Sequence, residues 1–330
     1  MRAITIAGRG DEATLELVEV PDPRVEPHQV LVDVIAAGVN RADTVQRRGT
    51  SLTSAGTSRL PGLEVAGLVA ATGSDVRRWA VGDRVCALLT DGGYAERVAV
   101  DADHVLAVPD AVDLVDAAAL PEALATVWSN LVGLAGLRAG ETLLVHGGGS
   151  GIGTTAIQVA RLLGARVIVT AGSRAKLDAC LELGADEAID YRTGSFVDAV
   201  HDLTDGRGVD VVLDIIGASY LASNLAAVAT GGRVVVIGLQ SGASAELDLR
   251  EVLRKRAVVT GSLVRPRPAE EKARILAEVA AHVMPAVADG RVRPVVDSRM
   301  PLADAWRAHA RLEASEHIGK ILLTTGEELP

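Results

Sequence analysis

Thr142-Leu143-Leu144-Val145-His146-Gly147-Gly148-Gly149-Ser150-Gly151-Ile152-Gly153 is the stretch that decides the fold. Its first five residues form the short apolar run of a buried parallel strand. The glycines that follow make a tight turn. Thr154 to Leu163 continues as a helix with one apolar face, and a second strand spans Arg166–Thr170. Strand, turn, helix and strand form a βαβ unit suited to a dinucleotide. Glycines let the backbone approach a pyrophosphate, and the helix N-terminus offers it unpaired N–H groups.

The end of the second strand carries the next signal. It reads Ala171-Gly172-Ser173-Arg174-Ala175-Lys176. An NAD site needs a carboxylate there to accept from the ribose 2′-OH. A hydroxyl and two cations stand in its place, which points to a 2′-phosphate and so to NADP. In register with G-x-G-x-x-G, the turn is Gly148-x-Ser150-x-x-Gly153, with serine for the middle glycine. A glycine-rich turn can also simply join a strand to a helix. The complete βαβ context favours the dinucleotide reading. Gly147-x-x-x-Gly151-x-Gly153 also fits the short-chain dehydrogenase pattern, which requires a catalytic Tyr-x-x-x-Lys. Tyr94, Tyr191 and Tyr220 are followed four residues later by Val98, Ser195 and Asn224, so that reading fails.

Composition narrows the class. A chain of 330 residues is long for one core, and 48% hydrophobic content favours compact folding. The net charge of −10 disfavours nucleic acid and anionic membranes as partners. Seven aromatic residues are too few for a base-stacking surface. Gln158, Arg161 and Arg166 interrupt the most apolar region, so no membrane span is expected. Met1-Arg2 leads straight into a strand pattern, without a signal peptide. Cys86 and Cys180 make no disulfide framework, which suggests a reducing cytoplasm. Lysine is scarce, four against twenty-nine arginines, so a retained lysine such as Lys176 carries information. Its alternative reading is a solvated helix lysine.

The first third is strand-rich: Arg2–Ala7, Leu15–Val20, Val30–Ile35, Val65–Ala71, Arg84–Leu88 and Tyr94–Val100. Turn signals such as Val81-Gly82-Asp83 separate some of them, suggesting a small β-barrel or partly open β domain. Residues 50–59, rich in Ser, Thr and Gly, read as a loop. Asp116–Leu137 reads as mostly helical. Beyond the first βαβ unit, strands are expected at Glu187–Asp190, Asp210–Ile215, Arg233–Leu239 and Ala257–Val264. These complete the six strands of a doubly wound α/β sheet. A long helix over 269–288, a short strand, a helix around Leu302–Leu312 and a strand at Lys320–Thr324 follow.

Taken together, the chain resembles the medium-chain dehydrogenase/reductase superfamily, in its zinc-free quinone oxidoreductase branch. It looks most like the subgroup of the p53-inducible quinone oxidoreductase. The matching motifs include Asn40-Arg41-Ala42-Asp43, Gly62-Leu63-Glu64, Gly82-Asp83-Arg84-Val85 and Pro121-Glu122-Ala123. The turn 146–153, Thr170-Ala171-Gly172-Ser173, Gly231-Gly232-Arg233 and Ile318-Gly319-Lys320 match as well. The resemblance implies a GroES-like β-rich catalytic domain, 1–122 with 266–330, and a Rossmann domain, 123–265. It also implies a cleft between them, NADPH as hydride donor and a homodimer through the nucleotide domains. Zinc members carry a cysteine where this chain has Asn40-Arg41-Ala42-Asp43, and a four-cysteine lobe. With two cysteines and no histidine ligand spacing, no zinc is expected.

The resemblance also assigns residues. Ser173, Lys176 and Tyr191 should surround the adenosine 2′-phosphate, and Tyr191 could instead pack at a strand end. Ser150, Gly151 and Ile152 should present backbone N–H groups to the pyrophosphate. Asn40 and Thr126 should lie near the nicotinamide ribose and ring, and Asn40 could also cap a helix. Leu239 and Leu263 should line the nicotinamide pocket or serve as packing. The subgroup often has a tyrosine shortly after Gln46-Arg47-Arg48-Gly49, where this chain has Thr50-Ser51-Leu52. The expected activity is reduction of a quinone or similar conjugated acceptor by direct hydride transfer, without metal and with no assigned general acid. The alternatives are an NADPH-dependent reductase of α,β-unsaturated carbonyls and a non-catalytic NADPH-binding regulatory protein.

Overall fold

A computed structural model describes residues 1–8, 10–49 and 59–326. The stretch 50–58, and with it the missing tyrosine, lies outside the described residues. In chain order, the first elements are β1 (Arg2–Ala7), β2 (Thr14–Glu19), β3 (Gln29–Gly38), α1 (Arg41–Arg47) and β4 (Glu64–Thr72). β5 (Arg84–Leu88), β6 (Arg97–Asp101), β7 (Val105–Ala107) and α2 (Pro121–Trp128) follow. Then come β8 (Thr142–His146), α3 (Gly151–Leu162), β9 (Arg166–Ala171), α4 (Arg174–Glu182), β10 (Glu187–Asp190) and α5 (Phe196–Leu203). After these run β11 (Val209–Asp214), α6 (Leu221–Ala227), β12 (Val228–Val236), α7 (Leu249–Lys255) and β13 (Val258–Gly261). The last are α8 (Ala269–His282), α9 (Met284–Ala288), β14 (Val296–Pro301), α10 (Ala305–Ala314) and β15 (Lys320–Thr324).

Two compact units result, one of Met1–Ala125 with Val264–Pro330, the other of Thr126–Leu263. In the first, a mostly antiparallel sheet runs β14-β15-β3-β4-β5-β7, with β6 on β3, beside the β1–β2 pair. β3 alternates half-buried and buried residues over its first half, then buries every one. Val32, Val65, Val85, Ile321 and Leu323 meet in its core. Their branched side chains suit a pleated surface buried on that side.

The second unit is a parallel sheet in the order β10-β9-β8-β11-β12-β13. All five residues of β8 are buried, as a strand covered on both faces requires. The strand order reverses between β8 and β11: the chain steps outward from β8 through β9 to β10, then crosses back and steps the other way through β11 and β12 to β13. In doubly wound sheets a ligand binds outside the carboxyl ends of the strands at that switch point.

Several boundaries differ from the sequence expectation. Regular pairing of the sixth strand begins at Arg97 rather than Tyr94, whose N–H donates to Pro61 O at 2.9 Å. The helix expected over 269–288 breaks at Val283, just before Pro285, whose ring nitrogen has no N–H to continue the ladder. β12 and β13 end at Val236 and Gly261, so Leu239 and Leu263 lie on the loops beyond them. No described helix is long and apolar enough to cross a membrane.

Candidate active site

In the second unit the turn after β8 is built as its residues demand. Gly147 has φ +68°, in the left-handed region that favours glycine. A Cβ on Gly153 would collide with the carbonyl oxygens of Gly147 and Gly148. Only glycine lets α3 sit this close to the turn. Ser150 is the N-cap of α3, and its Oγ accepts from the Gly153 N–H at 3.0 Å. The serine in place of the middle glycine therefore serves as a cap, a role for which extended backbone suffices. Its own N–H donates to Gly147 O at 2.9 Å within the turn. Of the three N–H groups expected at a pyrophosphate, those of Gly151 and Ile152 head the helix, where no intrahelical acceptor reaches them.

The corner beyond β9 and β10 brings three expected residues together. The Lys176 stem lies on the turn, so that a Cβ on Gly149 would come within 3.1 Å of its Cγ and Cδ. The Tyr191 hydroxyl lies over Gly172, where a Cβ would collide with it. Ser173 caps α4, its Oγ accepting from the Lys176 N–H at 3.4 Å. Arg174 points elsewhere and pairs with Asp178 at 2.9 Å. Lys176 is thus the cation that faces the glycine turn. The carboxylate of an NAD site is missing from the end of β9. The glycine cradle, the helix N-terminus and this corner fit a phosphorylated dinucleotide.

Leu239 and Leu263 are 44% and 43% exposed, beyond the carboxyl ends of the neighbouring strands β12 and β13. Thr126 is buried in α2, and its carbonyl accepts from Asn130 Nδ2 at 2.8 Å.

Beneath the turn lies a network that periodicity did not reveal. His146 Nε2 meets Asn224 Oδ1 at 2.7 Å and its Nδ1 meets Thr170 Oγ1 at 2.9 Å. Asn224 Nδ2 donates to Asp214 Oδ2 at 3.0 Å. Asp214 also accepts from the N–H groups of Ile216 and Gly217. Burial pushes the His146 pKa down to about 4 and raises that of Asp214. The network ties together the carboxyl ends of β8, β9 and β11. Its visible signal in the sequence was a histidine closing an apolar strand.

In the first unit, Asn40 heads α1 from a buried position. Its Nδ2 donates to Glu64 Oε1 at 3.0 Å, and its Oδ1 accepts from Lys320 Nζ at 2.7 Å. Lys320 also pairs with Glu64, whose other oxygen accepts from the Glu122 N–H at 2.9 Å. The carboxamide is therefore held at both ends by a buried ion pair. Neither Glu64 nor Lys320 was assigned a role from the sequence, although both lie in matching motifs. Asp43 accepts from the Asn40 N–H at 2.8 Å, the Tyr94 hydroxyl at 3.0 Å and the Gly62 N–H at 3.3 Å. Burial raises its pKa to about 6. Tyr94 continues to His309 Nε2 at 3.2 Å, and burial holds His309 neutral, with a pKa near 3.

Cys86 and Cys180 are buried free thiols, one in each unit. Among the described residues no group of three or more His, Cys, Asp or Glu is set to hold a metal ion.

A GroES-like β unit with a doubly wound dinucleotide-binding unit defines the medium-chain dehydrogenase/reductase class. The alcohol dehydrogenase GroES-like domain family matches residues 26–110, and the zinc-binding dehydrogenase family matches residues 151–281. Quinone oxidoreductase of Lama guanicoe is 35% identical over 329 residues, covering 98% of this chain and 97% of the relative. Escherichia coli quinone oxidoreductase complexed with NADPH superposes with a TM-score of 0.88 at 29% identity, over 98% of this chain and 100% of its own. An NAD-dependent alcohol dehydrogenase superposes equally well, with a TM-score of 0.88 at 32% identity, over 99% of this chain and 100% of its own. The chain belongs to the quinone oxidoreductase branch of the superfamily. It is an NADPH-binding oxidoreductase.

Proposed function

We propose that this enzyme reduces quinones with NADPH and needs no metal. The observation that carries the reading is the state of its buried polar side chains. Asn40 is bound at both ends by Glu64 and Lys320, and Asp43 is held by Asn40, Tyr94 and Gly62. Groups so engaged orient one another and do not act as nucleophiles. A quinone is electrophilic without activation, so alignment and exclusion of water suffice. The chain's two cysteines, both buried and in different units, do not make a soft ligand set for zinc.

When bound, NADPH supplies the hydride. Gly151 and Ile152 N–H groups take the pyrophosphate at the head of α3. Lys176, with Ser173 and Tyr191, takes the 2′-phosphate. Asn40, Thr126, Leu239 and Leu263 are proposed to serve the nicotinamide ribose and ring. The two buried free thiols suit a reducing compartment, the cytoplasm. The protein is also proposed to be a homodimer. Val258 and Val259 are exposed on the edge strand β13, with Leu249 and Leu253 exposed on α7. An apolar edge of this kind invites strand pairing, and light scattering should give twice the chain mass.

NADPH oxidation is to be followed with 1,4-benzoquinone, 9,10-phenanthrenequinone and an alkenal. The quinones should be consumed fastest. Faster turnover of the alkenal would make the protein an enone reductase. Tight NADPH binding with no turnover of any acceptor would make it a nucleotide-binding regulator.

A further inference from the structure

Val264-Arg265-Pro266-Arg267-Pro268 opens the return of the chain into the first unit. Arg267 pairs with Glu271 at 2.6 Å. Arg265 behaves differently. Its Nε, Nη1 and Nη2 are all out of contact with solvent, and none has a hydrogen-bond partner among the described residues. A guanidinium carries five N–H donors in a planar fork, and burying it without acceptors is strongly unfavourable. A buried group left without acceptors calls for an explanation, and a bound ligand that supplies them is one.

Its neighbours do not supply them. The Arg265 charge acts on the buried Asp43 carboxyl, yet Asp43 is bonded to Asn40, Tyr94 and Gly62. It also acts on Lys272, a second buried cation, whose Nζ donates to the neutral Thr90 Oγ1 at 2.8 Å. Burial lowers the Lys272 pKa, the Asp101 and Asp91 carboxylates oppose that shift, and the Arg265 charge adds to it. Pro266 fixes φ just after Arg265, which limits the conformations the segment must lose when a ligand binds.

We propose that Arg265 is the oxyanion-binding residue of the acceptor site, its fork taking the acceptor's carbonyl oxygen. The inference rests on the quinone-reductase reading. There a quinone gains two electrons and one proton as hydride, with NADPH oxidised to NADP+. The resulting hydroquinone monoanion bears its charge on the oxygen that Arg265 holds until a solvent proton neutralises it. Preorganised donors aimed at a developing charge favour such a step.

Arg265→Met and Arg265→Lys separate this role from a structural one. Ligand-free Arg265→Met should melt no lower than wild type, because it removes an uncompensated buried charge. Calorimetry with NADP+-saturated protein should show wild type binding 4-nitrophenolate about tenfold or more tightly than uncharged nitrobenzene. Arg265→Met should lose that preference, and Arg265→Lys should keep part of it. Affinity for NADPH should stay within twofold, while kcat/KM for 1,4-benzoquinone falls about tenfold or more. A wild type without the phenolate preference would overturn the inference. So would an Arg265→Met variant that melts lower and keeps the preference, or one that loses NADPH affinity to the same extent. A wild type that reduces no quinone but prefers phenolate through Arg265 would refute the quinone reading and retain the oxyanion site.

Discussion

Each unit buries one aspartate and one histidine joined by a single side chain. In the second unit the chain is Asp214–Asn224–His146, and in the first it is Asp43–Tyr94–His309. An amide has a donor end and an acceptor end, so Asn224 fixes the direction of its chain. Its Nδ2 serves Asp214, its Oδ1 takes the Nε2–H of His146, and Thr170 serves the remaining nitrogen. Every member is satisfied. A phenol hydroxyl donates one proton and accepts another. With Asp43 ionised, Tyr94 donates to it and His309 donates through Nε2, leaving Nδ1 without a partner among the described residues. The locked chain lies under the cofactor turn and the reversible one beside Asn40. Fully satisfied polar networks specify a unique geometry, and the turn is where a pyrophosphate needs it.

The first unit also carries a full buried ion pair, and the largest expected effect falls there. Lys320→Met should destabilise the protein by about 3–5 kcal/mol, because Glu64 is left as an uncompensated buried charge. Glu64→Gln combined with Lys320→Met should recover most of that loss in chemical denaturation. A single substitution costing under about 1 kcal/mol would mean that the pair is solvated.

Asn224→Leu comes next. It removes the side-chain partner that His146 Nε2 and Asp214 share, leaving Asp214 only the N–H groups of Ile216 and Gly217, and should cost about 2–4 kcal/mol, with weaker NADPH binding. Tyr94→Phe should cost about 1–2 kcal/mol, since Asp43 keeps the N–H groups of Asn40 and Gly62. Thermal melts that rank the two in reverse order would break the comparison between the locked and the reversible chain.

The smallest effect is in pH dependence. Asp43 in the folded protein has its pKa raised to about 6, so folding takes up a proton and stability falls as pH rises toward 6. His309, lowered to about 3, acts in the opposite direction, its contribution rising with pH up to its unfolded value. The two slopes oppose each other between about pH 4 and 6. His309→Gln should unmask the Asp43 slope, up to about 1.4 kcal/mol per pH unit. Melting curves across that range with the same pH dependence as wild type would contradict the assignment.

Much of the second unit was legible because its signals are local. The six strands, the glycine turn and Ser173-Arg174-Ala175-Lys176 all read from residues adjacent in sequence. Ser150 looked like a defect in a glycine pattern, and only the cap bond to Gly153 explains it. Asn40 was legible as a residue but not its partners, since Lys320 lies 280 residues away. Periodicity reads the face of one element and says nothing of which distant strand supplies a partner. Lys255, Lys272 and Lys320 are all buried, and each donates to a defined oxygen. A compact ammonium on a slim stem fits such sites where a guanidinium does not. Against an arginine-rich background, each lysine marks a buried position or, at Lys176, the side of the glycine turn.

The corner formed by Lys176, Ser173 and Tyr191 is proposed to select a phosphorylated cofactor. Its most direct test is the dissociation constant of NADPH and of NADH for wild type and Lys176→Ala. One charge-assisted phosphate contact contributes roughly 1.5–3 kcal/mol. Wild type should therefore prefer NADPH by about ten- to hundredfold. Lys176→Ala should weaken NADPH by most of that factor and leave NADH nearly unchanged. Equal affinities in the wild type, or a substitution that weakens both cofactors alike, would contradict the account.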